Sequence, residues 1–248
     1  MKRYIYEFGI YLIRIKFVIR NKYFLSIIAS VFCTFAFSQP KHEIGLQTDN
    51  DSYLAGGSDR YYTNGISLYY QKALNTKLEK KSDVTKIIFG IELTQKMYNP
   101  KSGYVQSPKD IDRPFAGYTY IATHLNLLYK NETNISLSVQ LGSIGKNSGT
   151  EAVQNFIHRV LNMYEPFGWQ YQINNQFIFN VSAEYNKLLF RKSFLDLIFN
   201  SIVILGNGNI GADIGSTIRI GKFNSLFNSM ATKSLIQNRF LLYRNILF

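Results

Sequence analysis

Five short segments concentrate side chains that can hold ions, hold oxyanions or move protons. Gln47–Tyr53 (QTDNDSY) sets Asp49, Asn50 and Asp51 in a row, and Ser58–Gly65 (SDRYYTNG) carries Thr63 and Asn64. Asp110–Tyr120 (DIDRPFAGYTY) follows, and Ser148–Asn162 (SGTEAVQNFIHRVLN) contains His158. Pro166–Gln172 (PFGWQYQ) closes the set. Neutral imidazole accepts a proton from water near pH 7. Carboxylate, amide and carbonyl oxygens suit a hard cation such as Ca²⁺. Taken singly, each segment has a plainer reading. Asn50-Asp51 suits a turn, and His158 on a polar helix face suits solvent. Asp112-Arg113 suits an ion pair inside a barrel lumen, and Trp169 suits packing. His42 and His124 suit structural or solvated positions. No nucleophile elbow with a Ser-His-Asp order is visible, and Gly206–Gly211 (GNGNIG) reads as a turn rather than a phosphate loop.

The elements that must carry these residues are mostly strands. Period-two alternation marks Lys86–Met97, where Ile87, Phe89, Ile91 and Leu93 oppose Ile88, Gly90, Glu92, Thr94 and Lys96. The same alternation runs through Asn134–Gly142 and Ile214–Gly221. Further strands are expected at His42–Asn50, Thr63–Ala73, Gly117–Lys130, Phe194–Gly206 and, as one long strand, Gln170–Asn186. One segment breaks the pattern. Ser148–Asn162 has helical spacing, with Ala152, Phe156 and Val160 on one face and Glu151, Gln154, Asn155 and His158 on the other. Ser148 and Glu151 have the spacing of a capping box. A helix in a long loop of a strand protein is a place to look for function.

The chain has 248 residues, with 28 Lys+Arg against 16 Asp+Glu. Its charge lies at the ends: residues 1–38 hold six basic side chains and one acid, and residues 222–248 hold four basic side chains and no acid. The body is nearly balanced, so the net charge of +12 gives no case for nucleic acid. A basic stretch to Lys22, the uncharged run Phe24–Ser38 and the small pair Ala36 and Ser38 form a secretory signal over residues 1–38. The apolar run is shorter than the roughly 20 residues of a spanning helix. Cys33 is the only cysteine, and cleavage after Ser38 would remove it. Alternating strands, an export signal and Tyr and Phe at strand ends together suit an outer-membrane antiparallel β-barrel. A soluble barrel or sandwich is the alternative.

In their order along the chain, the motifs resemble the LpxR-type lipid A 3′-O-deacylases of bacterial outer membranes. The matching blocks are Asn50-Asp51, D-R-Y-Y-T-N-G at 59–65, Q-x-x-Y-x-P at 95–100 and D-R-P-F-A-G at 112–117. E-A-V-Q-N-x-x-H at 151–158 and G-W-Q at 168–170 complete them. The resemblance covers residues 39–221. It implies a twelve-stranded barrel with its active site between the wall and an extracellular loop helix. It also implies Ca²⁺-assisted ester hydrolysis of lipid A, or lipopolysaccharide, among outer-membrane lipids. His158 would be the general base, with Asn50, Asp51 and Thr63 in the site and Asn50 and Asp51 at the metal. A family lysine would fall between Pro100 and Asp112, where Lys101 is preferred to Lys109. The residue types suit that chemistry, because a base must take the proton of water and the oxyanion must be stabilised. The strand pattern supplies about eight strands rather than twelve. Residues 222–248 lose clean alternation, as a truncated or frame-shifted end would, or as a smaller barrel of eight to ten strands would. A non-catalytic outer-membrane barrel is the competing function.

Overall fold

The computed structural model describes residues 41–54, 60–74 and 83–236. The expected export signal, Asp59 and the end of the tail lie outside these residues. Eight strands follow one another as a meander: β1 (His42–Asn50), β2 (Tyr61–Ala73), β3 (Val84–Asn99), β4 (Ala116–Tyr129), β5 (Thr133–Ile144), β6 (Gln176–Arg191), β7 (Leu195–Gly206) and β8 (Gly211–Ile220). Every neighbouring pair is antiparallel, and the sheet order is β1 to β8 without a crossover. The sheet is curled. Among the described residues β1 and β8 remain as its two edges, eight strands where the resemblance implies twelve.

Alternation sorts the sheet into two chemically different faces. On the outer face, Leu68, Leu93, Leu137, Val139 and Leu205 all stay exposed, as side chains facing lipid would. On the inner face, Gln71, Lys86, Thr94, Asn126 and Asn186 are buried. At Gln71 and Lys86 the cover is the chain after β8, which turns back across the inner face. Lys86 donates from Nζ to the carbonyls of Ser234 at 2.8 Å and Ile236 at 2.6 Å. Ile236 itself packs on Ala73, Ile88 and Leu128. Residues 222–236, which show no strand alternation in sequence, are thus a covering segment. No helix among the described residues is long and apolar enough to cross a membrane.

A charge cluster fixes this covering segment at its start. Asp196 is fully buried and accepts from Arg219 Nε at 2.9 Å and Arg191 Nη2 at 3.0 Å. Arg191 also pairs with Glu132, whose other oxygen takes the backbone N–H of Leu226 at 2.8 Å. Phe223 lies against both guanidinium groups, 5.4 Å from Arg191 and 4.8 Å from Arg219.

Two expectations need correction. Gln170–Asn186 is not one strand: Trp169–Tyr171 form a 3-10 turn, and β6 begins at Gln176 and runs on to Arg191. The side chain of Asn175 is used instead as an acceptor for the Asn147 N–H at 2.7 Å. Asp112 and Arg113 form no lumenal ion pair. Asp112 accepts the backbone N–H of Lys101 at 2.8 Å, and Arg113 sits over the ring of Tyr61 at 4.7 Å.

Removing Asp196 leaves two arginines facing one another across a poorly hydrated space. Asp196→Ala should cost about 3 kcal/mol, read as a lower urea midpoint for protein folded in detergent.

Candidate active site between the wall and a loop helix

The loop between β5 and β6 forms helix α1 (Thr150–Val160). Its seat is built from β3 and β4. Thr119 Oγ1 donates to the Ser148 carbonyl at 2.7 Å, and Gln95 Nε2 donates to the same oxygen at 3.1 Å. Gln95 and Thr119 belong to the outer parity of their strands, so the helix lies outside the wall. The approach is close. A Cβ on Gly117 would stand 2.2 Å from Ser148 Oγ and 2.4 Å from Thr150 Cβ.

The helix starts differently from the expected capping box. Gly149 is the N-cap in the left-handed region, with φ 69°, where a β-carbon is disfavoured. Ser148 Oγ turns back to the Gly145 carbonyl at 2.6 Å. The Glu151 carboxylate takes Gln172 Nε2 at 3.4 Å rather than the N-cap amide.

The orientation of α1 also differs from that of a solvated amphipathic helix. Thr150, Gln154 and His158 are buried, whereas Phe156 is 62% and Val160 60% exposed. The polar face is turned inward, against the outer wall and its neighbouring loops. An apolar cluster of Met97, Val105, Phe115 and Trp169, with Ile111 and Val153 against it, supports this seat. Trp169 is therefore a packing residue, and its indole N–H also donates to Gln154 Oε1 at 2.7 Å. That bond fixes which end of the Gln154 amide is which. Gln154 Nε2 is buried and makes no hydrogen bond among the described residues.

His158 is 5% exposed, one turn beyond Gln154. Its Nδ1 lies 2.7 Å from the Tyr164 carbonyl, and the Tyr164 ring meets the imidazole edge-on at 4.8 Å. A carbonyl only accepts, so Nδ1 carries the hydrogen, and in the neutral ring the lone pair is on Nε2. Around the imidazole lies a cavity of about 290 Å³, reached by Asn155, Arg159, Glu165 and Pro166.

The remaining expected residues share this end of the sheet. Asn50 pairs with Asn64, Asn64 with Met97, and Met97 with Gly117, which is one row leading to the start of the helix. Thr63 sits at the bulge between Tyr62 and Asn64 and is 2% exposed. Asp51 opens a 3-10 turn and accepts the Arg60 N–H at 3.3 Å. Lys101 is exposed, and its own backbone N–H holds the Asp112 carboxyl below the usual carboxylate range. Lys96, to which the sequence pattern does not point, lies on the inner face, 5.9 Å from the Tyr62 ring and 6.0 Å from the Tyr120 ring. Nor does the pattern single out Gln154. The available signal is its i, i+4 relation to His158 within the Glu151–His158 block.

Gly117→Ala should force the helix off its seat, an overpacking cost of roughly 1–3 kcal/mol. Hydrogen exchange should then accelerate at the amides of residues 150–160 while the central strands keep their protection.

Comparison with known proteins bears on this arrangement. Residues 23–243 match the family described as outer membrane protein LpxR. That range reaches past Gly221 into the covering segment. The solved structure of LpxR from Salmonella typhimurium is similar, with a TM-score of 0.54 and 21% identity. The match covers 71% of this chain and 62% of that one, so this chain spans less than two thirds of that protein's length. At this identity the likeness speaks for the fold alone. Comparison with the curated proteins finds no match. With the matched range taking in the whole sheet, the loop helix and every site residue described above, the chain belongs to the LpxR family of outer-membrane proteins.

Proposed function

We propose that this chain is an outer-membrane hydrolase that removes the 3′-linked acyloxyacyl group of lipid A, with His158 as general base. The observation that carries the reading is the inverted helix. A buried imidazole held at Nδ1 by the Tyr164 carbonyl and a buried amide held by Trp169 lie one turn apart on the inward face of the helix, where the family's chemistry is expected. Export through the N-terminal segment and contact with lipopolysaccharide belong to the same proposal.

In the reaction, Nε2 of His158 takes a proton from water as the water oxygen attacks the ester carbonyl. The negative charge that develops on the carbonyl oxygen needs donors that are already aimed. Gln154 Nε2 is such a donor, because Trp169 occupies the other end of its amide. Collapse of the tetrahedral intermediate breaks the bond to the sugar oxygen, which takes the proton from the imidazolium. The products are the free acyloxyacyl acid and a sugar hydroxyl. Thr63, buried in its bulge, sets the course of the strand beside Asn64 and Asn50. Lys101, exposed in the β3–β4 loop, would meet an anionic headgroup in this reading.

Asn50 and Asp51 offer hard oxygen donors, the right chemistry for Ca²⁺. No group of three or more His, Cys, Asp or Glu side chains gathers among the described residues. Two side chains would therefore share the ion with backbone carbonyls and water. When bound there, Ca²⁺ would supply Lewis-acid polarisation of the ester carbonyl.

Mass spectrometry of lipid A from cells expressing the chain tests the proposal. The wild type should yield lipid A lacking the 3′ acyloxyacyl group. His158→Ala should lower that product by at least about 100-fold, and a calcium chelator should suppress it. Unchanged lipid A from wild-type protein shown to be folded in the membrane would favour a non-catalytic barrel.

A further inference from the structure

The outer face of the wall carries an apolar groove of about 430 Å³ below the loop that holds α1. Its outline follows from the register. One row joins Phe89, Leu125, Leu137 and Ala183, and the next joins Thr123 to Val139. Short side chains at Thr123 and Ala183 stand among longer ones, and that difference in length leaves the depression. Its lining is almost wholly apolar, so in water it would be an exposed liability. On a face turned to lipid it accepts hydrocarbon.

Position decides which hydrocarbon. Thr119, which anchors the helix through Ser148, lies four residues from Thr123 and six from Leu125 along β4. At a strand rise of about 3.3 Å per residue, the groove begins ~13–20 Å from that anchor. An extended fatty-acyl chain of medium length spans such a gap. The strands that flank the helical loop, β5 and β6, also supply Leu137, Val139 and Ala183. A chain that leaves the start of α1 can therefore run down the wall into the depression without entering the lumen.

We propose that this groove holds the acyl chain that is cleaved and thereby sets the chain length preference of the enzyme. The inference rests on the hydrolase reading above and deepens it. A filled groove should shorten the chain that fits, because each buried methylene contributes to binding.

Two measurements test it in the full-length protein. Lipid A analogues with 3′ chains from short to long are hydrolysed by the wild type and by Ala183→Phe in mixed micelles. The ratio of kcat/KM for long over short chains should fall roughly tenfold in Ala183→Phe. An equal loss at every length, or no change in the ratio, overturns the proposal. Independently of turnover, Leu205→Trp places a fluorophore at the rim. Lipid A brominated on its 3′ chain should quench it more than a chain-brominated phosphatidylethanolamine at the same mole fraction. Equal quenching means that the groove takes annular lipid only, and the proposal fails. If the wild type hydrolyses no analogue while the glycolipid still quenches preferentially, the hydrolase reading fails and the groove stands as a glycolipid site.

Discussion

The Ser148 carbonyl, clasped by Thr119 and Gln95, is the contact on which the site depends. It ties the start of a loop helix to two strands of a wall, and it is possible only because Gly117 has no side chain. Once that end is held, the Met97–Trp169 cluster and the Trp169–Gln154 bond determine how the helix is rotated. Rotation in turn decides everything chemical, because it chooses whether His158 faces bulk water or a walled cavity. The neighbouring loops share in this. Val105 N–H donates to the Phe167 carbonyl at 2.7 Å, and Ile173 N–H donates to the Phe115 carbonyl at 3.0 Å. The β3–β4 and β5–β6 loops are therefore stitched together beside the helix that carries the imidazole.

Much of this is legible in the sequence, and the departures have physical causes. Alternation locates β1 at its true ends and places β3, β4, β5 and β7 within a few residues, because an outer-membrane wall separates lipid from a polar interior at every position. Residues 170–175 mislead because they alternate in composition but spend their hydrogen bonds on a turn and on the neighbouring loop. Helical spacing finds α1 within two residues at each end, yet it points the polar face to solvent, the reverse of the true rotation. Amphipathicity shows that two faces differ; it does not say which one meets the protein. Here the apolar face is the exposed one, and Trp169 and the Tyr164 carbonyl, from the rest of the same loop, take the polar face. The bulge at Thr63 and the oriented amide of Gln154 depend on contacts between residues distant in the chain, which no local pattern encodes.

The inner face follows a second logic. An open curled sheet with a polar concave surface needs something to satisfy Gln71, Lys86 and Glu132, and residues 222–236 provide it through backbone carbonyls and amides. This explains why the segment reads poorly as a strand: it acts through its main chain, not through alternating side chains. The match to the solved Salmonella protein leaves more than a third of that longer chain without a counterpart here. The loop helix and its seat on β3 and β4 nonetheless lie on the side of the wall opposite the covering segment. Scaffold and site are in this way separable by face.

The rotation of α1 is the claim that carries the account, and thiol labelling reads it directly. Cysteine is placed singly at 154, 156, 158 and 160 in folded protein, and the rate of modification by a small maleimide is compared. Gln154→Cys and His158→Cys should react at least about tenfold more slowly than Phe156→Cys and Val160→Cys, as buried positions open only through local unfolding. Faster reaction at 154 and 158 than at 156 and 160 would put the polar face in solvent and contradict the site described above.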